Sequence, residues 1–255
     1  MGARLGQHFL FDPRILSRIA DAANLTPRDT VLEIGPGKGT LTKILAERAG
    51  SVTAIEKDER LAAPLQVRYA GSKVRIVCGD ALEVAWPTVS AVCGNIPYQI
   101  TTPLIERALT PPRPRIIVFL VQREVADRLA APPGSKTYGA LSVGVQLVAS
   151  VERLFTVRAG AFRPPPRVES AVVRITPLAE PLVTGESEER QVRDLIRAAF
   201  QRRRQQLQRT LREAFDLQPS TVAGLLAAAG LGPADRAEEL SPRQFVALAR
   251  VLAGA

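Results

Sequence analysis

The sequence predicts an α/β fold: a doubly wound, seven-stranded, mostly parallel sheet followed by a small all-helical C-terminal domain. Two observations point to the sheet. Short continuous runs of Val, Ile and Leu alternate with helix-period segments from residue 13 to about residue 157, the pattern of strands covered on both faces. Glycines and polar residues gather where these runs end, the place where open α/β sheets bind ligands. The helical domain rests on a third observation: from about Glu186 onward the period is helical throughout and no strand signal recurs.

Taken in order, strands are expected at Thr30–Ile34, Val52–Glu56, Val74–Cys78, Ala91–Gly94, Arg115–Val121 and Val151–Val157. A seventh, Ala171–Thr176, follows the proline-rich link Phe162-Arg-Pro-Pro-Pro-Arg167. Helices are expected at Pro13–Ala23 behind an Asp12 cap, Thr40–Ala49, Glu59–Tyr69, Thr102–Leu109, Gln122–Ala130 and Leu141–Ala149. Further on, Pro219 and Pro242 stand near helix starts, and Gly230 and Gly232 close a helix. A chain of 255 residues can bury one large core and a small second one, so the expected domains are 1–178 and 179–255.

Composition narrows the function. Hydrophobic residues at 46% and charged residues at 23% are the balance of a globular chain. No stretch approaches the ~20 apolar residues that cross a bilayer, and MGARLGQHFLFD lacks the apolar centre of a signal peptide, so a cytoplasmic location and no membrane partner are expected. Gly6 also stands where a myristoylation signal has Ser or Thr. The two cysteines, Cys78 and Cys93, close strand-like runs and give neither a disulfide framework nor a metal site. A single histidine, His8, excludes mechanisms built on a His pair. The net charge of +9, with 34 Lys and Arg against 25 acids, points to an anionic partner, nucleic acid ahead of a membrane surface. Most of the cations are Arg, which forks onto phosphate and stacks on bases.

The first strand runs into Glu33-Ile-Gly35-Pro-Gly37-Lys-Gly39-Thr40. Glycines here let the backbone turn tightly against a ligand, and the next helix offers its N-terminus. A dinucleotide fingerprint reads G-x-G-x-x-G, whereas this loop reads G-x-G-x-G-T, which disfavours an NAD-dependent oxidoreductase. The variant resembles the first motif of class I methyltransferases, whose cofactor is an amino-acid sulfonium without phosphates. The second strand ends in Glu56, 21 residues beyond Gly35, where a carboxylate can accept both ribose hydroxyls. The third ends in Cys78-Gly-Asp80-Ala81; Asp80 there can accept the amino proton of an adenine or cap a helix.

The fourth strand ends in Asn95-Ile-Pro97-Tyr98, which looks like the N-P-P-Y/D-P-P-Y loop of amino-group methyltransferases. An adenine amino nitrogen is a poor nucleophile because its lone pair is delocalised into the ring. Accepting its hydrogens with the Asn95 side-chain oxygen and a backbone carbonyl near Pro97 draws it towards a tetrahedral shape. Tyr98 can stack on a base that has left its helix. The transfer is then an in-line displacement in which alignment is worth roughly 7–11 kcal/mol, and no general base is needed.

Together, Gly6-Gln-His8-Phe-Leu10, the glycine loop, Glu56, Gly79-Asp80-Ala81, Asn95-Ile-Pro-Tyr98 and Phe162-Arg-Pro-Pro-Pro-Arg-Val-Glu-Ser-Ala171 resemble the KsgA family of small-subunit rRNA adenine dimethyltransferases. The resemblance spans the chain, including Gln201-Arg-Arg-Arg204 and Arg236-Ala-Glu-Glu-Leu240. It implies dimethylation of two adjacent adenosines near the 3′ end of small-subunit (16S) rRNA on an assembling subunit, with S-adenosylmethionine converted to S-adenosylhomocysteine. The resemblance implies a cofactor site of His8, Leu10, Gly35, Gly37, Glu56, Asp80, Ala81 and Asn95. It also implies a catalytic loop of Asn95, Pro97 and Tyr98, with Phe162 as a second stacking face. Gln99 departs from the commoner Asn. For the RNA surface, Arg163 and Arg167, with Arg153 and Arg158, form an acid-free stretch flanking Phe162, while Arg197, Arg202, Arg203 and Arg204, with Arg209 and Arg212, fall in a 16-residue window without an acid. On a helix the last three fan over more than half the circumference. A large-subunit (Erm-type) methyltransferase and a non-catalytic rRNA-binding assembly factor are the rival expectations. A monomer is expected.

Overall fold

The computed structural model describes residues 7–202 and 205–254; Gly6, Arg203 and Arg204 lie outside them. Through the first part of the chain the elements are β1 (Phe9–Leu10), α1 (Pro13–Ala22), β2 (Thr30–Ile34), α2 (Thr40–Arg48), β3 (Ser51–Glu56), α3 (Glu59–Arg68), β4 (Val74–Cys78), β5 (Ala91–Asn95) and α4 (Thr101–Ala108). They continue as β6 (Ile116–Gln122), α5 (Arg123–Leu129), α6 (Ala140–Gln146), β7 (Ala149–Val157), β8 (Phe162–Arg163) and β9 (Ser170–Pro177). Four helices follow: α7 (Gly185–Gln201), α8 (Leu207–Phe215), α9 (Pro219–Ala228) and α10 (Pro242–Ala253).

Seven strands form one sheet in the order β4-β3-β2-β5-β6-β9-β7. Pairing is parallel from β4 to β6, and β9 reverses against β6. The chain moves outward from β2 to β4 and then returns to place β5 on the other side of β2. That reversal opens a crevice beyond the C-terminal ends of β2 and β5. Every expected strand and helix of the sheet region is present, within three residues at each end; the largest difference is at the helix expected over Leu141–Ala149, which stops at Gln146. The continuous apolar runs explain this, since β6 is buried from Ile116 to Val121 and β2 from Val31 to Ile34.

Caps set the helix that borders the crevice. Asp12 accepts the Arg14 amide at 2.9 Å, and Pro13 fills the first turn of α1. At the opposite edge of the sheet Asp29, just before β2, accepts Arg115 Nη2 at 2.9 Å, Ser90 Oγ at 2.8 Å and the Thr26 amide at 2.7 Å. Arg115, followed by Ser90 and Thr26, holds the Asp29 carboxyl far below its ordinary value. Three strand beginnings are thereby tied together, away from the crevice.

The chain divides into two units. One runs to Ala126 and resumes over Val151–Pro177; the other takes Asp127–Ser150 and continues from Leu178. The boundary near 178 recurs, but the catalytic domain expected over 1–178 is interrupted, because residues 127–150 belong with the helices. Tyr138 gives the reason. Its buried hydroxyl donates to the Leu240 carbonyl at 2.7 Å, and its ring meets Phe200 edge-on at 6.2 Å between centroids. In α7 Val192, Leu195, Ile196 and Ala199 form the buried stripe. That helix stops at Gln201, and Arg202 is its C-cap.

Candidate active site

Beyond β2 the chain turns through Gly35 and Gly37 with φ of +68° and +57°, a left-handed course that side chains resist. A Cβ on Gly37 would stand 3.0 Å from the Phe9 ring. The turn is clamped by Glu56, which is buried at the end of β3. Its Oε2 accepts the Gly37 amide at 3.0 Å and its Oε1 accepts the Asp58 amide at 3.0 Å. A carboxylate has about four acceptor positions, so further donors can still be taken. Gly37→Ala should therefore cost about 1–2 kcal/mol from the left-handed backbone alone and displace Phe9. Thermal unfolding together with equilibrium dialysis of the methyl donor measures both effects, and an unaltered melting temperature would contradict the clamp.

Asn95 ends β5. Its Nδ2 donates to the His8 carbonyl at 2.9 Å, which fixes the amide and leaves Oδ1 without a protein donor among the described residues. Tyr98, three residues on, is half-buried; its hydroxyl bonds Ser170 Oγ at 2.7 Å at the start of β9. Burial pushes the Tyr98 phenol up. The His8 ring lies 5.9 Å from the Tyr98 ring, tilted by 30°, and its Nδ1 donates to the Pro164 carbonyl at 2.8 Å. Both aromatic planes are thus held from outside the loop that carries the tyrosine.

These residues share one cleft. His8, Leu10, Gly35, Gly37, Glu56 and Asn95 line it with Pro97 and Tyr98, and it holds about 770 Å³ counting its opening to solvent. Small-molecule clefts run from roughly 300 to 1,000 Å³. Asp80 and Ala81 do not line it. Asp80 pairs with Lys57 at 2.6 Å and accepts the Leu82 amide at 2.8 Å, so it closes the turn after β4. The lysine beside it holds its carboxyl below the ordinary range.

Phe162 corrects an expectation. It is only 2% exposed and packs in the core with Leu10 and Leu16, because β8 pairs with β1 and turns the ring inward. As placed it offers no face to a base. Phe11, 43% exposed, lies nearby with the Arg163 guanidinium 4.7 Å from its ring centre. Arg167 is exposed as well. Arg197 pairs with Asp194 at 3.0 Å, and Arg202 pairs with Glu213. Exposed pairs of this kind are worth little, so phosphate can displace the acids. Arg203 and Arg204 lie outside the described residues.

Sequence reasoning assigned no role to Glu33, Lys57 or Ser170. Glu33 lines the cleft and is 1% exposed, and its Oε2 has no hydrogen-bond partner. An acid inside a strand-length apolar run was the available signal. Nothing local marks Lys57 or Ser170, whose partners are 23 and 72 residues away.

A sheet of this order, with a glycine loop after its first long strand and Asn-x-Pro-Tyr after its fourth, defines a class I methyltransferase. The family model described as ribosomal RNA adenine dimethylase matches residues 2–253, and the chain belongs to that family. A protein of Geobacter metallireducens named ribosomal RNA small subunit methyltransferase A is 41% identical over 97% of this chain and 94% of its own length. One of the same name from a Synechococcus strain is 44% identical over 98% and 92%. The crystal structure of a dimethyladenosine transferase from Plasmodium falciparum superposes with a TM-score of 0.84 at 28% identity, covering 94% of this chain and 96% of that one. That of the 23S rRNA methyltransferase ErmE gives 0.76 at 31% identity, with 96% and 99% covered. Among the described residues no helix is long and apolar enough to cross a membrane.

Proposed function

We propose that this chain dimethylates the N6 amino groups of two adjacent adenosines near the 3′ end of small-subunit rRNA, with S-adenosylmethionine as donor and S-adenosylhomocysteine as product. The observation that carries the reading is the cleft itself. The glycine turn and Glu56 face Asn95, whose amide is fixed by the His8 carbonyl with its oxygen left to accept. The site suits a cationic, phosphate-free cofactor, because Glu33 brings an unpartnered carboxyl oxygen to the same cleft. When bound, that cofactor supplies the electrophilic methyl.

The protein's part is alignment. Asn95 Oδ1 accepts an amino hydrogen and turns the nitrogen lone pair out of the ring, and a carbonyl beside Pro97 takes the other. Tyr98, anchored through Ser170, is the face on which the extruded base stacks. The buried Phe162 is left as a floor beneath the N-terminal strand. Asp80 remains a candidate for the adenine end of the donor, reached across the turn that it closes. Arg163, Arg167, Arg197 and Arg202 are the proposed phosphate contacts, with Arg203 and Arg204 beside them in the sequence. In this reading the enzyme works as a monomer in the cytoplasm, on an assembling small subunit.

Tritiated methyl transfer from S-adenosylmethionine to unmethylated small subunits, followed by nucleoside analysis, tests the proposal. N6,N6-dimethyladenosine in small-subunit rRNA is the expected product. Label confined to large-subunit rRNA would favour the second reading, which the likeness to ErmE supports. Binding without any label would leave an assembly factor. Replacing Arg163 and Arg167 by Ala should flatten the plot of log affinity against log salt by about 2, roughly one for each phosphate no longer neutralised. An unaltered slope would return both residues to ordinary solvated surface.

A further inference from the structure

Glu33 sits at the floor of the cleft on β2 and is the least exposed acid among the described residues. A carboxylate held in such a place without a counter-charge is strongly disfavoured. Each packed element adds to the difficulty or barely relieves it. From β3 comes Glu56, a second carboxylate. Opposite on β5 stands Cys93, a buried thiol that burial and then Glu33 push up. Tyr69, at the end of α3, is a phenol raised by burial and also by Glu33, although Arg68 draws it down. From α2 the buried Thr42 hydroxyl favours the charged form but closes no hydrogen bond. Lys38, the lysine of the cleft, is turned over the Phe9 ring at 5.3 Å. Burial above all, together with Glu56, lifts the Glu33 carboxyl to about 8.

We propose that donor binding and proton release are one event at Glu33: the donor-free enzyme keeps a proton on this carboxyl, and a cation entering the cleft drives that proton into solvent. The inference rests on reading the cleft as the donor site. In the step the carboxyl O–H bond breaks, its electron pair stays on oxygen, and the proton passes to water or buffer. The ionised oxygen then faces the positive charge that displaced it. The ligand class is an amino-acid sulfonium. The charge that Glu33 answers is the sulfonium: the demethylated thioether keeps only its α-ammonium, away from this carboxyl, and leaves Glu33 protonated, so the cleft distinguishes donor from product by charge as well as by shape.

The sign follows from linkage. A proton must leave before the favoured complex forms, so donor affinity rises with pH, by close to tenfold per pH unit while Glu33 is almost wholly protonated. Between pH 6 and about 7 the donor's own α-amino group stays largely charged and does not confuse the reading.

Isothermal calorimetry on the full chain in phosphate and in imidazole, buffers of unlike ionisation enthalpy, tests this. Wild type should release nearly one proton per S-adenosylmethionine at pH 6.5 and far less with S-adenosylhomocysteine. Glu33→Gln should release none, and its donor affinity should not vary with pH. Should Glu33→Gln fail to fold, infrared difference spectra of the wild type replace it, and donor binding should bleach a protonated-carboxyl stretch. Donor binding with no proton release, or with no bleaching, overturns the inference and leaves the cleft assignment standing. Absence of donor binding removes both.

Discussion

Replacing Asn95 by Ala is expected to lower the rate of methyl transfer by about 10²–10³-fold, the scale seen when one oriented group that serves only the transition state is removed. RNA affinity should change by no more than about twofold, because phosphate contacts rather than the reacting amine supply most of it. The asymmetry comes from the geometry. Asn95 Nδ2 is engaged with the His8 carbonyl at 2.9 Å, so the side chain can turn only its oxygen towards a substrate. Asn95→Asp should fare no better, since it places an acceptor against that carbonyl. Single-turnover rates and filter binding on the same preparation decide the matter. Equal losses in rate and RNA affinity would assign Asn95 to general binding.

The second large effect is expected at Glu56. Its two carboxyl oxygens hold the Gly37 and Asp58 amides, both at 3.0 Å. Glu56→Ala leaves two donors short of a partner, at about 1–3 kcal/mol each, and frees the glycine turn that contacts the donor. Loss of a charge-assisted bond to a ribose hydroxyl would add about 1.5–3 kcal/mol. We expect a fall of about 100-fold in donor affinity and a destabilisation of about 2–6 kcal/mol. Glu56→Gln, which keeps one acceptor, should lose less of both. Calorimetry and urea unfolding separate the two quantities. If calorimetry finds the donor affinity of Glu56→Ala unchanged, Glu56 has no part in the site.

Much of this was legible in the sequence, for a reason specific to parallel sheets. Strands buried on both faces are almost wholly apolar, so β5 and β6, and β2 apart from Glu33, announce their limits, and ligand residues collect where the runs stop. Gly35, Gly37, Glu56, Asn95, Pro97 and Tyr98 were found that way, whereas His8 and Leu10 came only from the resemblance to the family. What escaped depends on contacts between distant residues. The two-residue strands β1 and β8 are too short to carry a period, yet their pairing turns Phe162 inward. Asp80 was readable as a cap or a ligand, and only Lys57 across the turn shows which bonds it already makes. The grouping of residues 127–150 with the C-terminal helices depends on where Tyr138 finds a buried acceptor, which no local pattern encodes. Glu33 was visible as a letter in a motif, but its lack of a counter-charge is a property of its surroundings.

The atom of His8 that steadies Asn95 is a main-chain oxygen, and every amino acid has one. Side-chain scanning at position 8 is therefore blind to half of what the position does. Its imidazole can be exchanged while the support beneath the reacting amide persists, provided that the segment before α1 keeps its course. That course is fixed by neighbours: the pairing of Phe9 with Arg163, and the Thr40 hydroxyl on the Leu10 carbonyl at 3.2 Å. A lesion in that ribbon would silence the chemistry while leaving Asn95, Pro97 and Tyr98 themselves unaltered.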